Sequence, residues 1–174
     1  EYIFRKQLID RMHIYGEKLA VITSALMFGL FHGNLSQLFY AFALGLVFGY
    51  VYLKTGRLRY SIGLHMLINF IGSVVGPFFL EKLAVLDTME TMDLATLEPI
   101  LPWLLGFGAY VLVLIGLAVT GLVLLCINKR RVSFAPAELE LPKESRFKTV
   151  YVNVGMILLI LGCAALIISN VMML

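Results

Sequence analysis

Val111-Leu-Val-Leu-Ile-Gly-Leu-Ala-Val-Thr-Gly-Leu-Val-Leu-Leu-Cys-Ile127 carries no charge and a single hydroxyl. It belongs to an apolar stretch over about 100–127, longer than the roughly 20 residues a helix needs to cross a bilayer. Four further stretches, about 18–32, 35–53, 60–80 and 149–174, qualify or nearly so. Over all 174 residues the composition is 60% hydrophobic and 14% charged, where a soluble domain has about a quarter of its residues charged. The fold expected is an all-α, polytopic membrane helical bundle of about five spans. Residues 1–17 are expected to be the cytoplasmic end of a preceding helix and its connection. Because the chain opens on Glu1 without a leader, it is expected to be a fragment of a longer protein.

Basic residues orient the bundle. Arg5, Lys6, Arg11 and Lys18 precede the first stretch, and Lys54, Arg57 and Arg59 follow the second. Lys129, Arg130, Arg131, Lys143, Arg146 and Lys148 fill the link between the fourth and fifth. All of these fall on one side; only Lys82 falls opposite, among Glu81, Asp87, Glu90, Asp93 and Glu98. Positive charge marks the cytoplasmic face, so the basic loops are expected inside and the C-terminus outside an integral membrane protein. The organisation expected is a motif-bearing core over 1–82, an external loop over 83–99 with a short interfacial helix, and two spans over 100–174. These last two are joined by a cytoplasmic link, 128–148, read as a solvated connector with ends that suit anionic lipid.

Other features are quieter. Gly29/Gly33, Gly45/Gly49 and Gly72/Gly76 have the spacing that lets membrane helices approach closely, which predicts tight packing among the first three spans. Cys126 and Cys163 lie in apolar sequence and read as small buried hydrophobes. No phosphate-cradling glycine loop, internal repeat or nucleic-acid signature is present.

Polar residues stand out against this background. Glu1 and Arg5, Phe28 and His32, and His65 and Asn69 are each four apart, so each pair shares one helical face. Ionisable groups in apolar sequence are costly and point to function. Alone, each pair has a plain reading: an ion pair, a packed aromatic beside an interfacial histidine, an interhelical hydrogen bond. Together they supply what amide hydrolysis needs. A carboxylate can act as base, a histidine can align water, and His65 and Asn69 can donate to an oxyanion while Arg5 holds the glutamate. His13 is assigned no role.

These three pieces resemble the CPBP family of intramembrane proteases, which includes the type II CAAX prenyl endopeptidases and bacteriocin-processing or immunity proteins. The family's marks are Glu-Glu-x-x-x-Arg, Phe-x-x-x-His and His-x-x-x-Asn. Glu1 and Arg5 match the second glutamate and the arginine, and Lys54-Thr-Gly56 also resembles the family. The resemblance covers roughly residues 1–80. Two departures stand out: the family's first glutamate would lie just before residue 1, and Lys6 replaces a commonly small residue.

The resemblance implies endoproteolysis of a membrane-embedded or lipidated peptide, with catalytic residues Glu1, Arg5, His32, His65 and Asn69. In that scheme the preceding glutamate and His32 activate water, and His65 and Asn69 stabilise the oxyanion. Whether a metal takes part is open: no cofactor is certain, and zinc on His32 and His65 is possible, although asparagine is a poor zinc ligand and a good oxyanion donor. The alternatives are a non-catalytic member serving as immunity factor or scaffold and, more remotely, a haem protein ligated by His32 and His65. One tension is geometric. Counted from the cytoplasmic ends of their helices, the two histidines differ in depth by roughly 12 Å.

Overall fold

The computed structural model describes residues 1–88, 97–139 and 141–173, and among them every regular element is helical. An N-terminal π-helical segment, Tyr2–Ile9, passes through single turns to Tyr15. It is followed by α1 (Glu17–Leu30), α2 (Leu35–Thr55) and α3 (Leu58–Phe70). After a π turn at Ile71–Val75 come α4 (Gly76–Leu83) and α5 (Leu101–Asn128). The chain ends with α6 (Lys143–Tyr151) and α7 (Val154–Met172). Residues 89–96, about half of the expected external loop, lie outside the described residues.

Among the described residues, four helical stretches are long and apolar enough to cross a membrane: Leu35–Thr55, Leu58–Asp87, Leu101–Arg131 and Val154–Met172. The expected first span is different. At 14 residues α1 reaches about 21 Å, short of the roughly 30 Å hydrocarbon core. Its small and polar side chains, Ala20, Thr23, Ser24 and Ala25, are buried against protein. By length α1 is not among the candidate spans, and one of its faces is buried against protein.

The chain divides into two compact units, Glu1–His65 with Phe134–Leu174, and Met66–Ser133. In the first, α1 and α2 run back through a short turn in which Gly33 takes φ +62° and Asn34 caps α2, its side chain accepting from the Ser36 amide at 2.9 Å. Their contact is as close as backbones allow. A Cβ on Gly45 would lie 2.9 Å from the Ala25 Cα, and one on Gly29 would lie 2.9 Å from the Leu38 carbonyl oxygen. Gly72 has open space beside it, so the expected close packing is concentrated in the α1–α2 pair and does not extend to that position. Gly45→Ala is therefore expected to cost about 1–3 kcal/mol, because backbone rather than a flexible side chain must yield. Gly72→Ala should be neutral or slightly stabilising. Unfolding midpoints in mixed micelles compare the two, and equal midpoints would remove close approach as the reason for Gly45.

Beneath this contact Ile9, Ala20, Val21 and Tyr52 form a core, with Phe134 packed on it. Phe134 belongs to the link read as a solvated connector, most of whose described residues are exposed, but the link is also tied down by hydrogen bonds. Glu138 and Leu139 amides both donate to the Ile14 carbonyl at 2.9 Å. The Ala135 amide donates to Glu17 Oε2 at 2.7 Å, the same oxygen that takes Lys54 Nζ at 2.6 Å. Burial alone would raise the Glu17 pKa, but the Lys54 ammonium and the Ala135 amide outweigh it and hold the carboxyl below its usual range. Residues 134–139 are thus a strap, because the turn at Ile14–Gly16 leaves a carbonyl and a carboxylate in need of donors.

In the second unit, Phe79 of α4 stacks on Tyr110 of α5 with centroids 5.7 Å apart. The Tyr110 hydroxyl donates to the Ile71 carbonyl at 3.0 Å, satisfying an acceptor within the π turn.

Candidate active site

Three helices and the N-terminal segment meet around the Phe28 ring. On α1, Ser24 and Phe28 are one turn apart, and His32 follows in the turn after the helix. On α3, buried Ser61 donates to the Phe48 carbonyl of α2 at 3.0 Å, which pins α3 one turn before His65. The Phe28 ring lies edge-on to His32 at 4.8 Å and to His65 at 5.3 Å between centroids. Both imidazoles contact one phenyl group, so the depth mismatch counted along the sequence is taken up by stagger or inclination of the helices.

The polar groups form a continuous chain. The Arg5 guanidinium is fully buried and donates from Nε to Glu1 Oε2 at 3.0 Å and from Nη1 to Ser24 Oγ at 2.6 Å. Ser24 in turn donates to the Phe4 carbonyl at 2.7 Å. The second Glu1 oxygen faces His65 Nδ1 at 3.0 Å, and the carboxylate side chain is only 6% exposed. Aromatic rings complete the enclosure: Arg5 Cζ lies 4.7 Å from the Phe28 centroid and 5.9 Å from that of Phe48. Such a cation, paired on one side and stacked on the other, is the arrangement in which arginine tolerates burial. Arg5 Nη2 is buried without a hydrogen-bond partner.

Hydrogen-bond chemistry assigns the imidazole protons. His32 Nδ1 lies 2.7 Å from the Phe28 carbonyl oxygen, and His65 Nδ1 faces a carboxylate. Both partners accept only, so Nδ1 carries the proton in each ring.

The structure brings Glu1, Arg5 and His65 into one bonded network, with Phe28 and His32 packed against it. Asn69, the remaining residue of the sequence reading, is exposed and falls in the second unit. Two participants escaped the sequence reading. Ser24 was legible in principle, since Ser24, Phe28 and His32 repeat every four residues. Phe48 carries no such mark, because an aromatic in an apolar helix is ordinary.

Among the described residues no group of three His, Cys, Asp or Glu side chains is placed to hold a metal. The only carboxylate in the cluster is already paired with a buried guanidinium, whose charge opposes a second cation.

Residues 1–71 match the family model described as type II CAAX prenyl endopeptidase Rce1-like. Over those residues the chain is similar to the Rce1-like family. All three motif pieces, including Asn69, lie within the match, whereas α4 to α7 lie beyond it. No curated protein and no solved structure matches the chain significantly. The Rce1-like segment thus contains the entire Glu1–Arg5–His65 network and the α1 and α2 helices that enclose it.

Proposed function

We propose that this Rce1-like protein is an intramembrane endopeptidase cleaving a membrane-associated or lipidated peptide. The observation that carries the proposal is the Glu1 carboxylate, held by Arg5 on one oxygen and orienting His65 with the other. A buried ion pair of this kind is expensive and poorly justified by stability alone. In protonated form His65 donates from Nδ1 to Glu1 and from Nε2 to an oxyanion. Neutral His32, its Nδ1–H spent on Phe28, accepts a proton at Nε2.

Water attacks the scissile carbonyl carbon as His32 Nε2 takes one of its protons. The oxyanion forms against His65. Collapse breaks the C–N bond, and the amine leaves with the proton returned from His32. Glu1 and Arg5 touch neither reactant and act as positioning residues.

The test is cleavage of a lipidated peptide by the protein in proteoliposomes, comparing wild type with His65→Ala. The expected loss is about 10²–10⁴-fold, the contribution of one positioned acid–base group. Equal cleavage by a folded His65→Ala protein would sink the assignment.

A further inference from the structure

The turn between α2 and α3 holds a concentration of charge that the catalytic reading does not use. Arg57 Nη1 and Arg59 Nη2 both donate to the Tyr60 hydroxyl, each over a long 3.4 Å. Arg59 also lies over the Tyr60 ring at 5.1 Å. A guanidinium has five N–H donors, and these two share one weak acceptor. Neither arginine is paired with a carboxylate among the described residues, and the sequence has no Asp or Glu from 18 to 80. Neighbouring Lys54 is already committed to Glu17. Two cations are therefore gathered at the start of α3, where the helix dipole is also positive, with no carboxylate partner among the described residues.

An apolar groove leads away from this point. It is lined by Val51 and Thr55 of α2 and by Arg59, Tyr60, Gly63 and Leu64 of α3. Gly63 has nothing within 4 Å of where a Cβ would stand, so the groove is open along that face. Arg59 and Tyr60 belong to both features, joining a cationic head to an apolar channel at the end of two candidate spans.

We propose that this turn binds an anionic phospholipid, its phosphate held by Arg57, Arg59 and the Tyr60 hydroxyl and one acyl chain lying along Val51, Gly63 and Leu64. Charge complementarity selects an anion, and the continuous groove selects a lipid over a free phosphate ion. The Tyr60 hydroxyl, accepting from both arginines, keeps its own proton to donate to a phosphate oxygen. None of these residues belongs to the Glu1–Arg5–His65 network, so the proposal stands or falls separately from the protease reading.

Fluorescent phosphatidylglycerol titrated onto the protein in nonionic detergent tests it, with phosphatidylcholine of the same acyl chains as reference. The protein is expected to prefer phosphatidylglycerol, and Arg57→Gln with Arg59→Gln should weaken that binding roughly fivefold per arginine removed. Gly63→Leu, which fills the groove and keeps every charge, should weaken it as well, while excess inorganic phosphate displaces little. Unchanged binding by the double arginine variant would overturn the site. Full displacement by inorganic phosphate, with Gly63→Leu binding like wild type, would replace the lipid by a free anion and overturn the proposal equally.

Discussion

Arg5→Met is expected to lower stability by about 3–5 kcal/mol, the usual cost of removing one partner from a buried ion pair. Methionine fills much of the same volume and can lie against Phe28 and Phe48, so packing loss is the smaller part. The larger part is left on Glu1. Its Oε2 loses the guanidinium while the carboxylate stays nearly as buried, with only the His65 Nδ1 contact remaining. Ser24 loses a donor but still donates to Phe4, which limits the damage at that end. Arg5→Lys should rescue poorly, since one ammonium cannot present the planar fork that reaches both Glu1 and Ser24. Adding Glu1→Gln to Arg5→Met should recover a substantial part of the loss, because the stranded charge is gone. Unfolding in mixed micelles provides the cycle. Additive single and double effects would show that Glu1 and Arg5 are not coupled.

Glu1→Gln alone is expected to reduce kcat by about 10²–10⁴-fold with KM changed little, as when the orienting carboxylate of a catalytic histidine is neutralised. The amide can still accept from His65, but only by turning its NH₂ toward the Arg5 donor, and the reverse pose sets NH₂ against His65 Nδ1–H. Either pose loses the charge that stabilises an imidazolium. Steady-state kinetics on the lipidated peptide in proteoliposomes reads the effect. Wild-type kcat in folded Glu1→Gln protein would remove Glu1 from the mechanism.

Much of this was legible locally. Residues four apart share a helical face whatever the rest of the chain does, so Glu1–Arg5 was readable as an ion pair and Phe28 as packing beside His32; the first is a 3.0 Å ion pair and the second an edge-on ring contact. The same rule would have reached Ser24 and Ser61, one turn before Phe28 and His65, had hydroxyls in apolar helices been weighed as strongly as charges. Length was a poorer guide. Residues 18–32 are apolar enough to resemble a span, but apolar composition does not distinguish lipid from protein as the covering medium. The buried Ser24 and Thr23 of α1 show that this face is covered by protein. In the strap, prolines and mixed charge masked amides that bond to Ile14 and Glu17 over more than a hundred positions.

Sequence alone determined the all-helical membrane class, because uncharged runs of this length have no other low-energy home. It also determined which side chains were available for chemistry, since so few are polar. Tertiary structure alone decided which of them meet. The Glu1–His65 contact joins residues 64 positions apart, and the Arg5–Ser24 bond crosses between the N-terminal segment and α1. Both depend on how neighbouring helices pack around Phe28, including the near-contact of Gly45 with Ala25. Local periodicity places a residue on a face. Only close packing between helices decides what that face meets.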